Sequence, residues 1–556
     1  MKVRITIIVA SLFLFTGIVH AEQTFFVDSS YDKHGRSEIE VRLEKTTNKI
    51  HFFVETSWWE DLTEEKRREY GQEMIELGKE FEDNVYNQMT SLFGKEPSHR
   101  VSSDDRISVL FHQMSNSSGG YFNSADQYSI YQIKHSNERN LLYLNANLMK
   151  DPHLPGYLGH EFMHLITFAR KNRDQGVTEE IWLNELRAEY MPTFLGYDEE
   201  YEDSNLQRRM ERFLNTPNAS LTEWTNATAD YGVVAAFGQY LVDHYGVEIL
   251  EKSLKSGLVG IQSIDYALDS LGYDKMFSDV FREWVIAVYV NDCSMGEYYC
   301  YKSENLEDIN VRPKTNFLPI SDKGSIVVEH GTKNWAGNWH RIVGGQGTLS
   351  FRFHSEGRID TIPYILCIEE IECSIEFMDV GPRGRAELVI DEFSNKYSSF
   401  TILPFMHGKY EGFNGPERTH YFSWEAEIKK EVEEDKEKRL RELKAQLQMM
   451  KEQLAHLQAK LAAREMEGLL CDRISNNLGF GMMNSREVAC LQQFLKAQSV
   501  YPEGIISGNF LTLTRAAVIR LQERHRREIL SPFGLDRGTG YVGPSTRSFI
   551  NSIISK

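Results

Sequence analysis

The sequence lacks long apolar runs. Outside residues 5–19, no stretch approaches the roughly 18 apolar residues that a membrane-spanning helix needs, so we expect no membrane span in the mature chain. Basic residues are outnumbered, with 62 Lys and Arg against 81 Asp and Glu and a formal net charge of −19, and they form no basic stripe. Nucleic-acid phosphates would be repelled by this charge, so nucleic acid is not an expected partner.

Cysteine is scarce, and no C-x-x-C metal knuckle occurs. The six cysteines fall into three close pairs, which are Cys293 with Cys300, Cys367 with Cys373, and Cys471 with Cys490. Many connectivities are open to six cysteines, and local pairing is the most economical because each bridge then lies within one domain. Paired cysteines suit an oxidising compartment.

The one long apolar run lies at the N-terminus. Residues 1–4 form a short positive segment, and residues 5–19 form an apolar one. Val19-His20-Ala21 then places small residues at positions −3 and −1 of a signal-peptidase cleavage site. This pattern is typical of a secretory signal peptide cleaved after Ala21. No cysteine follows the cleavage site, so a lipid anchor is not indicated. We therefore expect a secreted or envelope-associated protein.

The string His160-Glu161-Phe162-Met163-His164 carries metal chemistry. On a helix, His160 and His164 share one face, so both imidazoles can point at one tetrahedral Zn²⁺. Glu161 is turned about 100° round the axis, where a general base could reach a metal-bound water. An H-E-x-x-H string that stands alone is also compatible with an ordinary amphipathic helix.

A second string supplies the missing ligand. The segment WLNELRAEY, residues 182–190, has helical apolar spacing and places Glu185 and Glu189 on one face. A catalytic zinc usually has three protein ligands, and Glu185 can be the third. Glu189, one turn further on, can accept the free ring N–H of a ligand histidine. The alternative is a solvated helix face.

The two strings together resemble the gluzincin zinc metallopeptidases, the thermolysin-like clan. The words HEFMHLITF and WLNELRAEY are most similar to the hyicolysin-like bacterial branch, in which glycine usually stands where this chain has Leu186. The resemblance implies an α+β half that carries the histidines, a helical half that carries Glu185, and a substrate cleft between them. It also implies a zinc-dependent endopeptidase.

Two further expectations rest on the resemblance. Gluzincins use a Tyr or His of the helical half to hold the oxyanion, and the segment DYGVVAAF, residues 230–237, makes Tyr231 the candidate. A packing role at a helix start is the alternative for Tyr231. In gluzincins the strand just before the zinc helix is the sheet edge that pairs with substrate. We expect residues 141–147 to do this, and a plain internal strand is the alternative.

The length of the chain and the changes in residue pattern along it predict several domains. Residues 22–305 form the metallopeptidase-like domain, with an α+β half at 22–175 and a helical half at 176–305. Helices are expected at 177–195, 205–215, 232–245, 247–255, 262–271 and 275–291. The short β-rich runs of residues 313–424 predict an accessory β-sandwich.

Residues 425–467 are charged, contain no Gly or Pro, and carry leucines at heptad spacing. Apolar residues recur at alternating steps of three and four from Leu440 to Leu461. A homodimeric coiled coil through 440–461 and a single helical spacer both fit this pattern.

The last segment, residues 471–556, contains a repeat. GNFLTLTR at 508–515 aligns with GYVGPSTR at 540–547. The segment resembles the three-helix peptidoglycan-binding domain of secreted bacterial hydrolases, although Leu511 and Thr512 stand where Gly-Pro is usual. The resemblance implies a cell-envelope glycan as partner, and a packing module without glycan affinity is the alternative.

The expected protein is a secreted zinc endopeptidase of protein substrates, held near a bacterial envelope. An aminopeptidase of the same clan is one alternative, but the G-x-M-E-N string that would grip a free amine is missing from the sequence. A non-catalytic cell-wall-binding protein is the other.

Overall fold

The chain is a mixed α/β multidomain protein with several sheets. The structure, a computed structural model, describes residues 23–98, 104–115, 118–319, 323–368, 372–429, 433–466 and 471–555, with side chains of the helix 433–466 described for residues 440–457. It divides into two units, residues 1–430 and 431–556. The expected signal peptide, residues 1–21, lies outside the described residues.

The first sheet has the order β1-β2-β3-β4-β6-β5. Its strands are β1 (Gln23–Phe26), β2 (Glu38–Thr46), β3 (Ile50–Glu55), β4 (Ile107–His112), β5 (Gly120–Phe122) and β6 (Leu141–Asn145). Strands β3, β4 and β6 are parallel, and β5 pairs antiparallel with β6. In β2, Ile39 and Val41 are buried between exposed glutamates, as their alternation predicts.

The prediction that residues 141–147 form the edge of the sheet is wrong. Residues 141–145 form a strand, but β6 lies between β4 and β5 and is internal. The edge on this side of the sheet is β5, a three-residue strand in the Gly-rich segment that precedes β6 in the chain. Short edge strands carry little sequence signal, because only pairing with β6 makes Gly120–Phe122 extended.

Helices cover the sheet and continue into a helical half. They are α1 (Thr56–Glu60), α2 (Glu64–Glu80), α3 (Tyr86–Phe93), α4 (Leu154–Thr167), α5 (Ile181–Phe194), α6 (Asn205–Asn215), α7 (Thr228–Tyr245), α8 (Glu248–Lys255), α9 (Gly260–Ser270) and α10 (Phe277–Val290). Single π-helical turns at Phe81–Val85 and Phe168–Asp174 follow α2 and α4. The expected helices of residues 176–300 are present, with ends shifted by a few residues.

One apolar core joins the first sheet, the helices and part of the β-rich region. Phe162 of α4, Trp182 of α5 and Trp284 of α10 belong to it, as do Trp335 and Phe405 from the β-rich region. The helical half therefore packs directly against the region that follows it in the chain.

The β-rich region forms two sheets, with the orders β13-β10-β15-β8 and β12-β11-β14-β9-β7. Their strands are β7 (Lys314–Leu318), β8 (Lys323–Thr332), β9 (His340–Gly344), β10 (Gly347–Ser355), β11 (Thr361–Cys367), β12 (Cys373–Asp379), β13 (Arg385–Phe393), β14 (Ser399–Ile402) and β15 (His420–Lys429). Phe351 of β10 and Phe400 of β14 pack edge to face and join the sheets in one core. Strand β15 extends to Lys429, beyond the predicted boundary at 424.

The second unit contains α11 (Glu433–Met466), α12 (Arg486–Ala497), α13 (Thr512–Arg524), α14 (Arg526–Ile529) and α15 (Pro544–Ile554). The sequence repeat of this unit is matched by a repeated hydrogen bond. Gln492 Oε1 accepts from the Gly508 backbone N–H, and Gln522 Oε1 accepts in the same way from Gly540. The described heptad side chains of α11, such as Leu447, are exposed, which leaves the homodimer and the spacer equally open.

The three predicted cysteine pairs are all bonded as disulfides. They are compatible with a secreted protein. Among the described helices, none combines the length and apolar character needed to cross a membrane.

Candidate metal centre

Helix α4 carries both histidines of the H-E-x-x-H string on the face turned toward α5. Pro155 lies in its first turn, where a missing N–H is tolerated. Gly159 allows α4 to approach the end of α5, because a Cβ at this position would lie only 2.8 Å from Leu195 Cδ1. The Nε2 atoms of His160 and His164 are 3.2 Å apart.

Helix α5 brings Glu185 to the same point. One carboxylate oxygen lies 3.5 Å from His160 Nε2 and the other lies 3.6 Å from His164 Nε2. A tetrahedral zinc about 2.05 Å from each ligand would hold ligand atoms about 3.3 Å apart. The structure therefore brings the three predicted ligands together, with His160, Glu161 and His164 also offering ligand atoms within 4.8 Å of one another.

Several buried atoms at this point lack hydrogen bonds. Among the described residues, Oε2 of Glu185, Oε2 of Glu161 and Nδ1 of His164 have no hydrogen-bond partner. Buried acceptors without partners are unfavourable, and a cation would compensate the carboxylate oxygens. The donor chemistry of the cluster, two imidazoles and a carboxylate, is the set that zinc prefers at catalytic sites.

Glu161 sits beside the ligands and against the sheet edge. A Cβ at Gly120 of β5 would lie 3.1 Å from Glu161 Cγ, so the absence of a side chain at 120 makes room for this carboxylate. Burial raises the pKa of Glu161 to about 8, and the neighbouring carboxylates of Glu185 and Glu189 add to the rise while His160 opposes it. A divalent cation nearby would favour the carboxylate form.

The two histidines of the cluster have different electrostatic surroundings. Burial alone would lower the pKa of His160, but the polar contact with Glu185 and the nearby charges of Glu161 and Glu189 raise it to about 9. Burial lowers the pKa of His164 despite the opposing charge of Glu185. Neutral imidazole is the form that binds metal, and a cation at the shared point would favour it at both histidines.

Glu189 lies where it was expected, behind His160. Its Oε1 is 3.5 Å from His160 Nδ1. Arg209 of α6 donates from Nε and Nη2 to the two oxygens of Glu189, each at 2.6 Å. The sequence contains no motif that would single out Arg209, because its link to the site is a tertiary contact between α5 and α6.

Tyr231 lies in the first turn of α7, within the electrostatic reach of the site. Its hydroxyl donates to Asn226 Oδ1 at 3.0 Å, and its ring packs on the Arg209 guanidinium at 4.9 Å. Burial raises the pKa of Tyr231, and the charge of Glu185 adds to the rise. The structure thus brings Tyr231 near Glu185 with its hydroxyl engaged by Asn226.

Leu186, which stands where the hyicolysin-like branch usually has glycine, packs in the apolar core. It is fully buried, and a Cβ at Gly238 of α7 would lie 3.2 Å from Leu186 Cγ. Gly238 therefore accommodates the larger side chain at 186, and the ligand positions are left in place.

Comparisons with known proteins add no family assignment. No protein-family model matches the chain, and no curated protein matches it. One similar solved structure is PliG from Aeromonas hydrophila, a periplasmic inhibitor of g-type lysozyme, with 7% identity over 21% of this chain and 100% of that chain at a TM-score of 0.13. Another is the 4-O-methyl-α-glucuronidase BtGH115A of family GH115, with 10% identity over 60% of this chain and 53% of that chain at a TM-score of 0.12. Scores this low carry no argument about this chain.

Proposed function

We propose that the chain is a secreted, zinc-dependent endopeptidase that hydrolyses peptide bonds of protein substrates. The observation that carries the proposal is the convergence of three ligand groups. The Nε2 atoms of His160 and His164 are 3.2 Å apart, and each lies 3.5 to 3.6 Å from a different carboxylate oxygen of Glu185. The sequence resemblance to the gluzincins, in which an α+β half and a helical half carry the zinc ligands, supports the same function.

The residues of the chain have distinct roles in this proposal. When bound, Zn²⁺ supplies a Lewis acid that polarises the scissile carbonyl and makes water more acidic. Glu161 takes a proton from the attacking water and passes it to the leaving nitrogen. Tyr231 donates a hydrogen bond to the oxyanion, and Glu189 orients His160.

The free edge of the first sheet provides a place for an extended substrate. Strand β5 has no neighbour on its outer side among the described strands. A peptide can add to such an edge through backbone hydrogen bonds. Gly120 of β5 lies against Glu161, so a peptide bound there would run past the general base.

The test is Glu161→Gln in the full chain. We expect the variant to keep about one equivalent of zinc and to lose at least about 100-fold in casein cleavage, because glutamine cannot accept the proton. Glu211→Gln, at an exposed position of α6, is the matched control and should retain parental activity. Casein cleavage by Glu161→Gln at the parental rate would contradict the assignment.

Peptides with blocked and free N-termini separate the endopeptidase from the aminopeptidase. An endopeptidase cleaves both at internal bonds because it needs no free amine. Cleavage restricted to free N-termini would identify an aminopeptidase. Purified protein with less than about 0.1 equivalent of zinc after metal-replete expression would favour the non-catalytic alternative.

We also propose that the second unit binds peptidoglycan and keeps the enzyme at the envelope. Its repeated Gln–Gly contacts support the resemblance on which this rests. Tyr541, in the second repeat, is exposed and could stack on a sugar. We expect the full chain to sediment with purified peptidoglycan and Tyr541→Ala to sediment less, whereas the exposed Tyr131→Ala should behave as the parent.

A further inference from the structure

Tyr157 of α4 lies one helical turn before the candidate ligand His160 and the candidate base Glu161. Residues three and four positions apart share one face of a helix, so these three side chains lie on the same side of α4. The edge of the first sheet touches both turns. A Cβ at Gly119 would lie 3.3 Å from Tyr157 Cγ, and a Cβ at Gly120 would lie 3.1 Å from Cγ of the candidate base. A peptide added to β5 would therefore run past Glu161 and then past Tyr157.

Arg208 of α6 holds the Tyr157 side chain and is linked to the metal centre. Its Nη2 donates to the Tyr157 hydroxyl at 3.0 Å and to Asn205 Oδ1 at 3.2 Å, and its guanidinium carbon lies 6.0 Å from the centroid of the tyrosine ring. Asn205 Nδ2 donates in turn to Glu189 Oε2 at 3.5 Å, and Glu189 contacts His160. Side-chain contacts thus join Arg208 both to the candidate metal centre and, through Tyr157, to the segment at the sheet edge.

The positive charge of Arg208 is fixed in place but not compensated. Its side chain is exposed, and among the described residues its Nε and Nη1 make no hydrogen bond and it forms no ion pair. Its two partners, a hydroxyl and an amide, are neutral. The neighbouring Arg209, by contrast, is paired with Glu189. A guanidinium with free N–H donors is suited to bind a carboxylate.

We propose that Arg208 is a specificity-determining residue, which binds the side-chain carboxylate of an aspartate or glutamate in the substrate. The proposal rests on the proposed endopeptidase function. Side chains four apart on a helix are about 6 Å apart, and an extended peptide advances about 3.3 Å per residue, so the acidic residue lies within about two positions of the cleaved bond. Tyr157 and Asn205 are positioning residues, because they hold the guanidinium.

The test compares the parent with Arg208→Gln on matched pairs of internally quenched peptides. Each peptide is acetylated and amidated, so it carries no terminal carboxylate. The cleaved bond is mapped by mass spectrometry, and the members of a pair differ only in Glu against Gln at one of the two positions on either side of that bond. We expect the parent to cleave one Glu peptide with kcat/KM about 10-fold above its Gln counterpart, because only the carboxylate forms a charge-assisted hydrogen bond with Arg208.

Arg208→Gln should lose this preference and cleave the Gln peptide within about twofold of the parental kcat/KM. Its zinc content should be parental, because Arg209 still holds Glu189. Arg208→Glu reverses the charge and should favour Lys at the same peptide position. Arg212→Gln changes an exposed arginine one turn further along the same helix, and as the matched control it should keep the parental preference for Glu.

A parent that binds zinc and cleaves peptides without a preference for Glu would overturn the role of Arg208 and leave the endopeptidase function standing. The same holds if Arg208→Gln keeps the preference, or if it cleaves both members of the pair equally less well. A Gln peptide ending in a free carboxylate that is cleaved better than the Glu peptide would overturn the assignment to a side chain. If the parent itself lacks zinc and activity, both proposals fall together.

Discussion

Arg209 clamps Glu189 from behind the candidate metal centre. Two nitrogens of its guanidinium donate to the two Glu189 oxygens at 2.6 Å each, and Glu189 lies 3.5 Å from His160 Nδ1. The Glu189 side chain is fully buried. A buried carboxylate needs a paired positive charge and fixed donors, so Arg209 fixes the Glu189 carboxylate beside His160.

We expect Arg209→Met to weaken Zn²⁺ binding about 10- to 100-fold, because Glu189 loses the partner that fixes its carboxylate. Competition with a chromogenic chelator measures the zinc dissociation constant. Arg212→Met changes an exposed arginine of the same helix and should leave zinc affinity unchanged. Parental affinity in Arg209→Met would show that Glu189 needs no such support.

The clustering of the candidate ligands could be predicted from the sequence in part, because each pair of residues lies on one helix. The spacing of His160 and His164, and of Glu185 and Glu189, determines which side chains share a face. Arg209 reaches Glu189 from the separate helix α6 through a tertiary contact, so no local spacing marks it.

The secondary structure differs in the same way: some elements follow from the local sequence, and others form only through tertiary pairing. Helix α6 was predicted with its observed ends, Asn205–Asn215, because Ser204 caps it and its apolar residues are periodic. No strand is predicted at β5, because its three residues, Gly120–Phe122, are too few to show the alternation of a strand. Its pairing with β6 is a tertiary effect, and it moved the expected substrate edge from β6 to β5.

Gly120 should tolerate no side chain. A Cβ there would lie 2.5 Å from the Tyr143 carbonyl oxygen and 3.1 Å from Glu161 Cγ. We expect Gly120→Ala to lower the free energy of unfolding by about 1–3 kcal/mol and to reduce peptide cleavage, because the edge strand and Glu161 must both shift. Denaturant unfolding and cleavage rates measure the two effects.

The control for this variant is Gly257→Ala. A Cβ at Gly257 would make only an ordinary contact, 3.5 Å from Gln175 Oε1, so stability and cleavage should stay close to parental values. A Gly120→Ala variant as stable and active as Gly257→Ala would mean that β5 is not packed as closely as the structure has it.

Asp32 should give the first unit an acid-sensitive contribution to stability. Burial alone would raise the pKa of Asp32, but hydrogen bonds from Arg36 and from the His34 N–H lower it to about 2. This value lies below the unfolded value of about 3.9. The stabilisation is therefore complete above about pH 4 and is lost as the pH falls through about 2.

We expect Asp32→Asn to lower stability at pH 7 by about 1–3 kcal/mol, because Arg36 loses a charged partner. The difference from the parent should stay constant down to about pH 4 and shrink toward pH 2. Thermal unfolding at stepped pH measures this difference. Asp61→Asn, at an exposed site, should show no difference at any pH, and a pH-independent deficit in Asp32→Asn would contradict the role of its charge.

The repeat in the second unit makes an internal comparison possible. Gln492 Oε1 accepts from two backbone N–H groups, those of Ser507 and Gly508, at 2.9 and 3.0 Å. Gln522 Oε1 accepts from one, that of Gly540, at 2.9 Å. A buried N–H left without an acceptor, as at Gly508 or Gly540, is expected to lower stability by about 1–3 kcal/mol, and the partly buried Ser507 N–H adds a smaller loss.

Gln492→Leu should therefore destabilise the second unit more than Gln522→Leu, although both remove a buried glutamine from equivalent places. Hydrogen exchange should localise the effect, with faster exchange at 507–508 in the first variant and at 540 in the second. Glu523→Ala, an exposed change on α13, serves as the control for helix substitution. Equal losses in the two leucine variants would show that side-chain packing, rather than the count of backbone donors, sets the stability of each repeat.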